Sequence, residues 1–225
     1  MKKAFPALVG VAALAMSGAL YHIFVVAPVE ATMGIVQKIF YFHVPCAFAT
    51  YAGFIMCGFC SLLYLITRRG KWDAMAASGA EVGLVFCTLV LITGPLWARG
   101  AWGVYWVWDP QLTSTLLLYL IYLAYTFLRQ FAGDSEGGKR FAAVLGMLGT
   151  LDIYVIRTSV QRWRGQHPLV IRKGGDGLLP EMKEAWLIST MTFLLVFALL
   201  VFLRYRLERS RQVVDAIHLD IAEAS

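Results

Sequence analysis

Five runs in this chain contain no Asp, Glu, Lys or Arg: residues 4–29, 39–67, 82–98, 110–128 and 185–203. Each is near or above the roughly 17–25 residues that a bilayer-crossing helix needs. A sixth run, 141–156, is shorter and carries Asp152. Backbone N–H and C=O groups in hydrocarbon find no water, so they must pair within their own segment, and every run reads as a helix. With 59% apolar and only 15% charged residues, the chain lies well away from the about 25% charge of a soluble domain. The predicted fold is all-α and integral to the membrane, with six transmembrane helices and a Trp-rich external loop. It is one membrane domain over 1–225, with spans at about 4–29, 44–67, 80–98, 110–128, 141–156 and 185–203. Residues 204–225 form a cytoplasmic tail that can make a short surface helix.

The opening "MKKAFPALVGVAALAMSGAL" has the basic-then-apolar order of a secretory signal. Its uncharged stretch exceeds the 7–15 residues of a signal core, so it reads as a retained first helix. With both termini cytoplasmic, twelve of the twenty Lys and Arg residues fall on the inner side, in keeping with the positive-inside rule. The loop 157–184 departs from that rule with six basic residues outside, which suits an anionic ligand. The net charge of +6 therefore reflects membrane orientation and gives no reason to expect nucleic acid; the surroundings are membrane lipid. Cys57 and Cys60 form a C-x-x-C inside an apolar run with no second pair, which reads as small-residue packing.

Three features share the outer side in this topology: "ATMGIVQKIFYFHVP" with His43, "WGVYWVWD" at 102–109, and "RTSVQRWRGQHPLV" with His167. His22 and His218 stand apart and read as structural. Trp97, Trp102, Trp106 and Trp108 put four of the seven tryptophans into the thirteen positions from Trp97 to Asp109, more than an interfacial anchoring belt requires. A helical turn there would place Trp102 with Trp106, and Tyr105 with Asp109, on common faces, and Gly103 would leave room for a flat molecule. Burying one such ring removes roughly 150–250 Å² from water, enough to hold a planar apolar ligand but not to orient it, because the hydrophobic effect has no direction. Two histidines on opposite sides would supply the direction if the flat molecule carried a metal. Heme fits that description, with axial imidazoles on its iron and carboxylates suited to Arg99, Arg162 or Arg164.

"GPLWARGAWGVYWVWDPQLTS" resembles the WWD signature of the heme-handling proteins of cytochrome c biogenesis, and "FYFHVP" and "SVQRWRGQHP" resemble their two flanking histidine segments. The six-helix length is similar to the CcmC family, also called heme exporter C, over about residues 34–203. The resemblance implies that His43 and His167 are axial ligands of a non-covalent b-type heme. It implies that Trp102, Trp106, Trp108 and Asp109 form the platform presenting that heme. It further implies transfer to the chaperone CcmE alongside the ABC transporter CcmA and CcmB and the small protein CcmD, at the bacterial inner membrane with the WWD loop periplasmic. Gln111 and Arg162 depart from the family pattern, where an arginine and an aromatic residue are expected.

Heme delivery without catalysis is the leading reading. A b-type cytochrome passing electrons would need histidine pairs within helices, and only His22 lies well inside a run. A heme transporter would need polar residues lining a mid-membrane path, for which Asp152 and Glu81 are the nearest. The topology is testable directly. Reporter fusions after Gly70, Asp109, Ser135 and Gly175 are expected to alternate inside, outside, inside, outside; a cytoplasmic signal at Asp109 contradicts it.

Overall fold

The computed structural model of the chain describes residues 4–132, 135–163, 167 and 178–224. Six α-helices account for most of them: α1 (Ala4–Tyr21), α2 (Phe40–Thr67), α3 (Gly70–Trp102), α4 (Pro110–Ala132), α5 (Glu136–Trp163) and α6 (Pro180–Ala224). A π-helical turn, His22–Val26, extends α1, and a 3₁₀ turn, Ile35–Ile39, leads into α2. Among the described residues six helices are long and apolar enough to cross a membrane. Among the described residues a single bridge, Glu30 to Gly34, is the only strand-like pairing. The all-α, six-span fold class is therefore correct.

The helices outrun the uncharged runs that reveal them. Residues 71–73 of the "TRRGKWD" linker already belong to α3, and α6 continues without a break through 204–224. That tail is the same helix, not a separate surface one. No Gly or Pro follows Pro180, and once a helix is nucleated each further residue adds a hydrogen bond at little cost.

By packing density the chain divides into two compact units, one of residues 1–49, 86–113 and 158–199, the other of 50–85, 114–157 and 200–225. In the first, Ile23, Ala27, Tyr41, Met182 and Ala185 form a buried cluster with Phe40, Phe42 and Trp186 against it. Pro45 lies inside α2 and has no N–H to give the Tyr41 carbonyl four residues back. The Ser189 hydroxyl of α6 donates to that carbonyl instead, at 2.5 Å. One sequence-imposed gap in a helix thus becomes an interhelical bond.

In the second unit, Tyr122 stacks on Phe54 with centroids 3.6 Å apart, and its hydroxyl reaches the carbonyls of Phe54 (3.1 Å) and Gly146 (2.9 Å). Gly53 and Gly79 allow α2 and α3 to approach so closely that a Cβ on either would meet the other's carbonyl at 2.7 Å. Small residues at such seams drive helix association in lipid, where the hydrophobic effect does not. The Cys57 and Cys60 thiols are both free and buried, as expected of packing residues. Glu81 is an interhelical partner, paired with Arg204 at 2.5 Å.

The same unit holds a buried charge network. Arg129 of α4 takes both carboxylate oxygens of Asp73 (2.5 and 3.1 Å) and one of Glu208 (3.1 Å). Arg204 joins Glu208 at 3.0 Å, and Gln212 donates to Asp73 at 3.1 Å. Removing one partner of a buried pair strands the other's charge, at about 3–5 kcal/mol. Arg129→Met is therefore expected to lower stability in detergent denaturation by about that amount. Adding Asp73→Asn and Glu208→Gln should recover much of the loss, and an Arg129→Met protein as stable as wild type contradicts the account.

Candidate functional site

The candidate residues that the structure describes all belong to the first unit. His43 sits in the first turn of α2, inside the helix and not on the segment ahead of it. Its Nδ1 lies 3.0 Å from the Thr93 hydroxyl of α3. Thr93 gives its one proton to the Leu89 carbonyl at 2.6 Å, the usual i−4 bond of a helical threonine. The hydroxyl can then only accept from His43, so Nδ1 carries the imidazole proton and Nε2 is left with its lone pair. Holding one ring nitrogen so that the other can ligate is how metal-binding histidines are oriented. The helices come this close because α3 has glycine at 94, where a Cβ would sit 3.2 Å from His43 Cε1. Six residues on, Gly100 faces Val36, whose Cγ1 would meet a Cβ at 2.5 Å.

His167 is half-buried, and its imidazole lies within electrostatic range of His43. Arg164 lies outside the described residues. Arg162 is exposed on the last turn of α5.

The tryptophan segment is not a helical turn. α3 ends at Trp102, and Gly103 takes φ +78°, a conformation that costs glycine nothing and other residues strain. Residues 103–105 bend and 106–109 are irregular, so Trp102 and Trp106, like Tyr105 and Asp109, do not share a helix face. Arg99 supports the bend by donating to the Gly103 carbonyl, with its guanidinium 5.7 Å from the Tyr105 ring centre. Instead of one flat sheet of rings, the tryptophans form two edge-to-face pairs: Trp97 with Trp102 (5.3 Å, 84°) and Trp106 with Trp108 (5.7 Å, 77°). This is a favoured geometry for aromatic quadrupoles. Trp108 is 76% exposed, which leaves it open to a ligand, whereas the Trp106 Nε1 is buried with no hydrogen-bond partner among the described residues.

Asp109 has a local role that the platform reading overlooks. Its carbonyl accepts from Thr113 N at 3.0 Å and its Oδ1 accepts from Leu112 N at 2.7 Å, which makes it the N-cap of α4. Pro110 follows at the first helical position, where its missing N–H costs nothing. The Asp-Pro pair announces this in the sequence. Thr93 and Gly94 carry no comparable signal.

A sequence profile described as heme exporter protein C matches residues 1–219. Heme exporter protein C of Bradyrhizobium diazoefficiens is 34% identical over 86% of this chain and 74% of its own length. The Paracoccus denitrificans protein of that name is 29% identical over 92% and 87%, and the Escherichia coli K12 protein 30% over 80% and 73%.

The cap and any ligand-holding role of Asp109 separate by mutation. Asp109→Ala should cost about 1 kcal/mol of α4 stability and speed amide exchange at 111–113, while Asp109→Asn should keep the cap. Equal exchange in both variants would remove the capping assignment.

Proposed function

Because the chain belongs to the heme exporter protein C family, we propose that it holds heme at the bacterial inner membrane and delivers it for cytochrome c maturation. The receiver is a CcmE-type chaperone, with the CcmA and CcmB transporter and CcmD as companions. Both termini are cytoplasmic and the 102–109 loop faces the periplasm. Heme here is cargo, bound without a covalent bond, and the protein delivers it without catalysing a bond change.

The observation that carries this reading is the His43–Thr93–Leu89 relay, which leaves Nε2 of His43 able to bind iron. Two histidines alone make a poor metal site. Among the described residues no group of three His, Cys, Asp or Glu converges, so a metal held by His43 and His167 would have to bring its other ligands with it, as a porphyrin does. The exposed face of Trp108, backed by Trp106, offers the macrocycle an apolar contact. Arg99, Arg162 and Arg164 are the candidate partners for its carboxylates.

The contacts divide the work. Area contact with the tryptophans is lost gradually as a flat ligand slides away, whereas imidazole bonds are directional and can be exchanged one at a time for a chaperone's ligand. A delivery protein needs such a graded hold.

The test is co-expression of each variant with the chaperone and measurement of heme on both proteins. Trp106→Ala and Trp108→Ala are expected to lower heme on the chaperone about tenfold, equivalent to about 1.4 kcal/mol, with His43 and His167 still forming a low-spin centre on any heme retained. His43→Ala and His167→Ala are expected to disturb the spectrum first and block transfer as a result. Wild-type delivery by the tryptophan variants would reduce that loop to a membrane anchor.

A further inference from the structure

We propose that Lys38 is the positioning residue for His43, holding it by docking into the open end of the first transmembrane helix. The sequence creates that end. Pro28 disfavours helical backbone in the residue before it, and Ala27 is accordingly extended (φ −65°, ψ 125°). The chain leaves the helix through a π-helical turn closed by Ala27 N on the His22 carbonyl at 2.7 Å. The last carbonyls therefore point onward with no amide to receive, carrying the negative end of the helix dipole.

Lys38 fills the gap. It is only 5% exposed, and its Nζ donates to the carbonyls of Ile23 (2.7 Å), Ala27 (3.1 Å) and Phe24 (3.4 Å). An ammonium has three protons, and all three are used. The Phe24 ring lies 5.7 Å from the same nitrogen. A buried cation is thus answered by a helix terminus, and a buried helix terminus by a cation.

What this fixes is five residues downstream. Lys38 belongs to the 3₁₀ turn Ile35–Ile39, which runs directly into the first turn of α2 and its His43. On the other side, Val36 packs into the space at Gly100, and His43 against Gly94 and Thr93. The segment from 36 to 43 is held between the end of α1 and the face of α3. Without Lys38 the α3 side alone would have to hold it, and the α1 carbonyls would be left buried and unpaired.

This inference rests on the reading of His43 as a heme ligand, so the experiment has one arm that does not. The variants are Lys38→Met, which keeps length and loses the charge, and Lys38→Arg, which keeps the charge on a planar head that cannot reproduce three convergent donors. In the first arm, hydrogen exchange of heme-free protein in micelles should rise more than about tenfold at residues 35–43 and 23–27 in Lys38→Met, and less in Lys38→Arg, with α4 unchanged. Unchanged exchange at 35–43, or a rise across every helix, overturns the proposal. In the second arm, on heme-loaded protein, Lys38→Met should convert the low-spin spectrum toward that of His43→Ala, with partial recovery in Lys38→Arg. A wild-type spectrum in Lys38→Met overturns it. If even the wild-type protein takes up no heme, the heme reading fails and the exchange arm alone decides whether Lys38 orders the segment.

Discussion

A bilayer core offers no water to a backbone polar group, so each N–H and C=O left open by an irregularity must find a partner inside the protein. In this chain two prolines, Pro28 and Pro45, create such openings, and specific side chains close them. The carbonyl that Pro45 leaves without an amide receives the Ser189 hydroxyl. The helix end made by Pro28 receives the Lys38 ammonium. Both repairs flank His43, one through the residue two before it and one through the residue five before it. The interactions that complete the backbone thus lie on either side of the residue whose imidazole meets Thr93.

Around that fixed ring the geometry suits a removable cargo. The Thr93 contact orients His43, and Trp108 stands largely in the open. The proposed hold, assembled from one oriented imidazole, a second histidine and the exposed ring of Trp108, is one that can be undone stepwise. The other compact unit invests differently. Its Asp73–Arg129–Glu208 core, extended by the half-buried Arg204 and Glu81, is costly to disturb, because the buried Asp73 and Glu208 carboxylates depend on Arg129 to offset their desolvation.

Much of the fold was legible because hydrocarbon imposes a simple rule on composition: runs free of charge marked five helices, and a run interrupted only by Asp152 marked the sixth. Their ends were not legible, because charged flanks such as those of α3 and α6 are also good helix formers and nothing in them stops the helix. In the tryptophan segment the i, i+4 spacing suggested a helical face, but Gly103 adopts a positive φ and the helix ends at Trp102. The role of Asp109 was written in the Asp-Pro pair and was obscured by the more conspicuous tryptophans beside it. Thr93 and Gly94 could not have been singled out, since a threonine bonded to its own helix and a glycine in an apolar run are ordinary until the facing histidine is known. Lys38 had a faint signal, a lone cation just before a long uncharged run, but only the fold shows which carbonyls it serves.

The central claim is that one iron is held by two imidazoles, one of them oriented by Thr93. Low-temperature electron paramagnetic resonance of the ferric heme-loaded protein measures this most directly, with chemical rescue of a cavity variant. The account predicts a low-spin signal of bis-imidazole type in the wild-type protein. That signal should be lost to a high-spin one in His43→Gly and restored when free imidazole enters the vacated space. A high-spin wild-type signal, or a low-spin signal that survives in both His43→Gly and His167→Gly without added imidazole, would contradict it.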